Sequence, residues 1–475
     1  MTLYTLRSRH FNGRLTPLSP AGGGITSLAM RTTQKYFFRN RAASTCNFTN
    51  QITNGTNMKN TYRMILAVCT LTFLITSHPG WAQDWPQWRG VNRDGCSTET
   101  GLLKTWPEGG PALLWTAKGL GGGYSGLSIS AGRIYGMSYR GEDEVVWALD
   151  VKEGKELWST RIARADQKIG YPEGSRCTPT VADGRLFVLG AGGMLASLEA
   201  DTGKLVWQKD LVKEFGGKMM SGWGYSESPL VDGNQVLCTP GGPDGTVLAL
   251  NKQNGELLWQ TKDLTDKAAY SSLVIATLGG VRQYIVLTDA SVAGIAVASG
   301  KVLWRAPRSG RTAVIPTPIV RDDLVYVTSG YGVGCNAFRI TSANGAFKAE
   351  EVYANKVMVN HHGGVVLVGD HLYGYSEGKG WACQLLKTGE SVWEEKGKLG
   401  KGSITYADGH LYLRFEGDKG TIALIEATPS GYKETGRFEQ PERSKKNSWP
   451  HPVISDGRLY LRDQDTLLCY DVRQR

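Results

Sequence analysis

At 475 residues, with 61 glycines, 14 tryptophans, 41% hydrophobic and 21% charged residues, the chain has the composition of a turn-rich globular protein. Collagen, coiled coil, multispan membrane protein and full-length disorder are excluded. The formal charge of +10 resides in a leader: residues 1–82 hold nine Lys or Arg and no Asp or Glu, which leaves 45 basic and 44 acidic residues beyond them. A nearly neutral body argues against nucleic-acid binding.

From Met58 the chain reads as a basic start, an apolar stretch from Met64 to Thr76, and small residues Gly80 and Ala82 before Gln83. These are the parts of a secretory signal peptide over 58–82. The apolar run of 13 residues falls short of the roughly 20 that a membrane span requires. Cys69 loosely resembles a lipidation site, but Val68 precedes it where a small residue is expected. The protein is therefore expected to be exported to the periplasm or cell envelope and soluble after cleavage. Residues 1–57 show no hydrophobic period and read as a mis-called upstream start or an extension without assigned function. Beyond the leader stand Cys96, Cys177, Cys238, Cys335, Cys383 and Cys469, with no Cys-x-x-Cys spacing. That pattern disfavours zinc, dithiol and c-type haem sites, and leaves any disulfide pairing open.

After a lead-in segment over 83–110, one motif dominates. Gly stands four residues before Trp at Gly154/Trp158, Gly203/Trp207, Gly255/Trp259, Gly300/Trp304 and Gly389/Trp393. The Trp intervals of 49, 52, 45 and 89 residues define a unit of 45 to 50. Upstream lies a second element, Ala131-Gly, Asp183-Gly, Gly369-Asp, Asp408-Gly or Asp456-Gly ahead of a Leu/Ile-aromatic pair, which is a tight-hairpin signal. Four short antiparallel strands per unit is the arithmetic of a propeller blade. Innermost strands begin near Gly126, Thr178, Ser228, Ser271, Thr317, Gly364, Ser403 and His451, giving eight blades over 111–475. The recurring Gly and Trp are expected to be packing residues between blades. The eighth blade lacks a Trp strand, whereas Pro111–Ala117 carries Trp115 with no blade of its own. The expected fold is an all-β, eight-bladed β-propeller closed by this N-terminal strand, in preference to an open solenoid.

The repeat best seen in Leu198-Glu-Ala-Asp-Thr-Gly-Lys-Leu-Val-Trp207 resembles that of the pyrroloquinoline-quinone-type propellers. That group includes quinoprotein alcohol dehydrogenases and the BamB-type propellers of outer-membrane assembly. Asp84–Gly95 is similar to the lead-in of exported propellers of this class. The resemblance implies either a binding scaffold that needs no cofactor or, as the alternative, a polyvinyl-alcohol-type dehydrogenase using pyrroloquinoline quinone and Ca²⁺. The vicinal Cys pair and acidic cluster that the dehydrogenases use are not found in the sequence, so no catalytic or metal residue is carried over. Blades five and seven lack the Trp and depart from the pattern.

In a propeller the loops entering the innermost strands open onto one end of the channel. Arg176, Trp223, Tyr225, Glu227, Tyr270, Arg311, His361, Lys401, Trp449 and His451 lie in these loops and form the expected binding rim. Arg176 and Arg311 could hold a carboxylate or phosphate. Glu227 is a candidate for binding or acid–base work. Tyr124, Tyr225 and Tyr270 either line the site or pack against the next blade. Adjacent His361 and His362 are expected to point to opposite faces, which disfavours a shared metal. His371 and His410 occupy hairpin slots. The partner is expected to be a protein or small ligand, and the protein a monomer.

Overall fold

The computed structural model describes residues 84–475. The expected signal peptide, Cys69 and segment 1–57 lie outside the described residues. Within 84–475, strands form eight sheets, one for each expected blade, each with four antiparallel strands and one extended by a fifth, parallel strand from the lead-in. Among the described residues the one helix is the short Leu211–Phe215, capped by Asp210, whose side chain accepts from the backbone N–H groups of Val212 and Lys213.

The local rules are plain in blade two, built from Thr180–Ala182, Arg185–Leu189, Met194–Glu199 and Leu205–Asp210. Asp183 and Gly184 have φ of 49° and 75°, as a two-residue hairpin turn with both central residues left-handed requires. Leu186, Val188, Leu195, Ala196 and Leu198 of the middle strands are fully buried, because both faces of a blade are covered by neighbouring blades.

At four junctions the recurring Gly and Trp interlock between blades. A Cβ on Gly154 would come within 2.6 Å of the Trp115 ring, and one on Gly255 within 2.9 Å of Trp207; Gly203 and Gly300 stand likewise against Trp158 and Trp259. Each of these glycines is also left-handed, with φ between 70° and 74°, so shape and backbone both demand it.

Trp304 and Trp393 also pack between blades, as expected, but without such a glycine beneath them. The last hairpin of blade five turns at Gly345, where an added Cβ would meet nothing within 4 Å, so Trp304 has no interlocking partner there. Its indole instead lies over Gly294 of its own blade and donates from Nε1 to Gln283 Oε1 at 2.6 Å, while the ring joins Val325 and Phe338 of blade five in one buried cluster. Trp393 meets Tyr432 of blade seven edge-on, with ring centroids 6.4 Å apart, where other blades present glycine. It keeps the repeat's hydrogen bond, from Nε1 to Thr428 O at 3.0 Å, as Trp207 does to Lys252 O. The physical reason is the same in both cases: the following blade is one that departs from the Gly-Trp pattern.

Blade five meets blade six through a substitute, since Tyr353 fills the slot against Gly389 and donates its hydroxyl to Leu386 O at 2.7 Å. In blade seven the aromatic is Phe438, covered by Trp106 of the lead-in with ring centroids 5.3 Å apart.

Ring closure occurs as expected. Ala112–Ala117 pairs antiparallel with Thr466–Asp471 and completes the sheet begun by Val453–Ser455. A register shift between Leu113 and Trp115 repeats the bulge between Leu205 and Trp207, so the strand from the other end of the chain is a true copy of the missing one.

The lead-in is more than an approach to the ring. It threads the channel and bonds to seven of the eight blades. Trp85 bridges Ile129, Pro86 O accepts from Val181 N, and Trp88 Nε1 donates to Thr317 Oγ1 at 2.9 Å. Arg93 Nη2 donates to Ser228 O at 2.6 Å and Arg89 Nη2 to Val365 O at 2.5 Å. Cys96–Ser97 then adds a parallel strand to Gly402–Ala407, and Glu99 accepts from Gly457 N at 2.7 Å. Both arginines are buried, and desolvation pushes Arg93 down to about 10. All six cysteines in the described residues are free thiols.

Candidate functional site

At the end of the channel where the innermost strands begin lies a cavity of about 130 Å³. Its floor is Trp88, brought there by the lead-in and set against His451 with ring centroids 4.8 Å apart. One wall is Trp449 stacked on Tyr124 at 4.3 Å and 29°. The facing wall is Trp223 beside Tyr270 at 6.0 Å. Tyr171 overhangs the mouth, 43% exposed over its side chain and backbone, edge-on to Trp449 at 5.0 Å. Its φ of 58° is a conformation that a bulky residue rarely adopts outside a constrained site.

Of the expected rim residues, Arg176, Trp223, Tyr270, His361, Trp449 and His451 line this cavity. Arg176 serves a different purpose from the one expected. Its Nη1 donates to Gly174 O at 2.6 Å and its Nη2 to Gly170 O and Tyr171 O, both at 2.7 Å. The guanidinium therefore holds the Tyr171 loop and is not an open fork for an anion. Lys401 sits behind the lining, with Nζ donating to His361 Nδ1 at 2.5 Å. Arg311 is exposed and outside the cavity lining.

Tyr225 and Glu227 face away from the cavity. Tyr225 packs in the blade interior and donates its hydroxyl to Pro240 O at 2.9 Å, which decides for the packing alternative. Glu227, 1% exposed, accepts from Thr239 N at 2.6 Å and Thr239 Oγ1 at 2.9 Å. Burial pushes its carboxyl up to about 7 despite those bonds and the attraction of Arg93. The neighbouring Ser226 is the residue of this strand entry that lines the cavity, since alternate side chains point to opposite faces.

Contrary to the expectation of opposite faces, His361 and His362 both line the cavity, their ring centroids 4.8 Å apart. They lie ahead of the strand Val365–Val368 and not on extended backbone, so the alternation argument fails there. His362 Nε2 stands 2.8 Å from Glu416 Oε2. Burial raises the Glu416 carboxyl, but His362 and Lys401 outweigh it and hold it below the ordinary range. Desolvation, aided by His362 and Lys401, pushes His361 down to about 3; desolvation and Arg89 do the same to His451. Both imidazoles are neutral. His371 and His410 begin second strands of their blades, as their turn slots imply.

Sequence reasoning missed Trp88, Tyr331 and the cavity role of Tyr171. Trp88 belongs to a segment outside the repeat, and Tyr331 follows the second strand of blade five, a slot that the entry-loop rule does not search. The Trp-Pro-Gln-Trp run was the available signal for the first.

The lining does not fit a Ca²⁺-bound pyrroloquinoline quinone. None of the lining residues is a carboxylate, and the quinone's three carboxylates would meet one guanidinium whose two terminal nitrogens already bind carbonyls. Among the described residues no group of three or more His, Cys, Asp or Glu is arranged to hold a metal ion.

Residues 142–395 match the family model described as outer membrane protein assembly factor BamB. The factor of that name from Shewanella oneidensis is 25% identical over 377 residues, covering 74% of this chain and 86% of the relative. That of Burkholderia pseudomallei is 24% identical over 299 residues, covering 54% and 74%. Among solved structures, quinohemoprotein alcohol dehydrogenase from Comamonas testosteroni aligns with a TM-score of 0.59 at 11% identity, over 83% of this chain and 81% of that one. The computationally designed Ika8 protein aligns at 0.53 and 11%, over 76% and 100%. These two share the propeller fold alone. With more than half of the chain matched by one model, the protein belongs to the BamB family of β-propellers.

Proposed function

We propose that the protein is an exported, non-enzymatic scaffold that binds a ligand or protein partner through the channel mouth, as part of the assembly work for which its relatives are named. The observation that carries this reading is the convergence of aromatic and imidazole side chains from seven blades and the lead-in onto one small cavity. Interblade packing calls for the Gly and aromatic residues of the outer strands but does not require seven aromatic rings around an open space. Rigid aromatics present large contact area at low entropic cost, which suits recognition.

Export rests on the leader's charge and apolar length. Mass spectrometry of the extracytoplasmic form should find a chain beginning near Gln83; recovery of residues 1–57 on it would contradict export by this signal. For the binding face, Trp223→Ala, His361→Ala and Trp449→Ala should each weaken capture of the partner, whereas Asp183→Ala at a turn remote from the entry loops should not. Retained capture by all three folded variants, with loss in Asp183→Ala, would place binding on the other face.

A further inference from the structure

The lining of the cavity constrains what can occupy it. Ligand charge is constrained first. Among the lining residues there is no carboxylate to meet a cation. The single permanent cation, Arg176, has both terminal nitrogens bonded to carbonyls of its own loop. A charged group entering the cavity would lose its hydration without gaining a counter-charge, which costs far more than desolvating a neutral one.

Polarity is constrained next. Tyr171, Tyr331 and Ser226 bring hydroxyls to the lining, and buried His451 Nδ1 is without a hydrogen-bond partner. His451 Nε2 donates to His362 O at 3.1 Å, which leaves Nδ1 as an open acceptor. A purely apolar occupant would offer these groups no partner and is disfavoured for that reason. The occupant must therefore offer both donors and acceptors at its edge and an apolar face to the rings of Trp223 and Trp449.

Resting on the reading that the mouth is the binding face, we infer that the cavity takes an uncharged sugar ring, the terminal residue of a neutral glycan. A pyranose has C–H faces that lie against aromatic rings and a rim of hydroxyls that both donate and accept. Size agrees, because a cavity of about 130 Å³ holds a ring-sized group and not a folded segment. Tyr171 is the residue that closes over the ring. It is held in a left-handed conformation by its loop, exposed, and edge-on to Trp449, a placement that packing alone would not favour.

Chitotriose, cellotriose and maltotriose, with tri-galacturonate as the charged control, would be titrated into the full chain and followed by tryptophan fluorescence and calorimetry. At least one neutral trisaccharide should bind and blue-shift the emission, and tri-galacturonate should not. Tyr171→Ala and Trp223→Ala should weaken binding about tenfold or more. Tyr171→Ala should leave thermal unfolding unchanged, and Tyr331→Phe, which removes only a hydroxyl, should weaken binding by a smaller factor. The inference is overturned if none of the three neutral sugars binds, if tri-galacturonate binds as well as they do, or if Tyr171→Ala and Trp223→Ala bind undiminished. Partner capture that is lost in the mouth variants while no sugar binds would leave the mouth as the binding face and remove the glycan alone.

Discussion

The outer strands and the channel mouth are made from the same eight repeats and have opposite tolerances. On the outer strands one contact recurs at six junctions, a left-handed glycine beneath the aromatic of the preceding blade, with Gly110 beneath Phe438 as the sixth. When blade five loses the Trp, Tyr353 restores the contact. Where the following blade offers no glycine, the aromatic is kept and redirected: Trp304 turns over its own blade, and Trp393 meets a tyrosine ring. At the mouth the equivalent entry loops bring Tyr124, Arg176, Trp223, Tyr270, His361 and Trp449, four side-chain chemistries from six blades. A slot under a packing constraint keeps its shape, and a slot open to solvent is free to differentiate. Symmetric scaffolds acquire specificity at the second kind of position.

The largest expected effect breaks the frame. Removing residues 84–117 takes away Trp85, Leu102, Trp106 and Trp115, opens the edge of the eighth blade and unthreads the channel. Burial of such side chains contributes about 1.5–3 kcal/mol each. Calorimetry should show no cooperative unfolding at the parent's temperature, and an unchanged transition would refute closure through this strand.

A sharper probe separates shape from backbone. Gly184 and Gly203 have φ of 75° and 71°, but a Cβ on Gly184 meets nothing within 4 Å while one on Gly203 runs into Trp158. Gly184→Ala should cost about 1 kcal/mol from the turn alone, and Gly203→Ala about 1–3 kcal/mol more from overpacking. Equal costs in urea unfolding would mean that the interlock is not what holds the blades.

The buried titratable groups give a smaller, signed effect. His361 and His451 are depressed from 6.5 to about 3, so their contribution is present above 6.5 and lost as pH falls toward 3. Glu227 is raised from 4.5 to about 7, so its contribution is present below 4.5 and lost as pH rises to 7. Acidification from pH 7 to 4.5 sets the two against each other. Melting temperatures of Glu227→Gln should fall more steeply than the parent's over that range, and those of His361→Gln/His451→Gln less steeply. The reverse order would contradict the assigned burial. At the small end, Arg311→Ala should change stability by less than about 0.5 kcal/mol and leave capture intact.

Blade number, hairpin turns and closure by Trp115 were legible in the sequence because each is a short-range signal repeated at a fixed interval. What Trp304 and Trp393 touch was not, because it depends on what the next blade places opposite them. Half of the site was legible through the repeat: the entry loops mark one end of the channel. The remainder depended on facts no local pattern carries. Whether Glu227 or Ser226 faces the cavity turns on a one-residue alternation at a strand entry. That Arg176 clamps its own loop depends on the backbone path of 170–174, and Trp88 reaches the floor only because the lead-in enters the channel.

The central claim, that recognition occurs at the mouth, is tested most directly by site-specific photo-crosslinking in cells that produce the protein. A benzophenone side chain would replace Tyr171 at the mouth or, separately, Asp183 at the remote turn. The account predicts crosslinked adducts from position 171, suppressed when Trp223→Ala is added, and none from position 183. Adducts from 183 alone would contradict it.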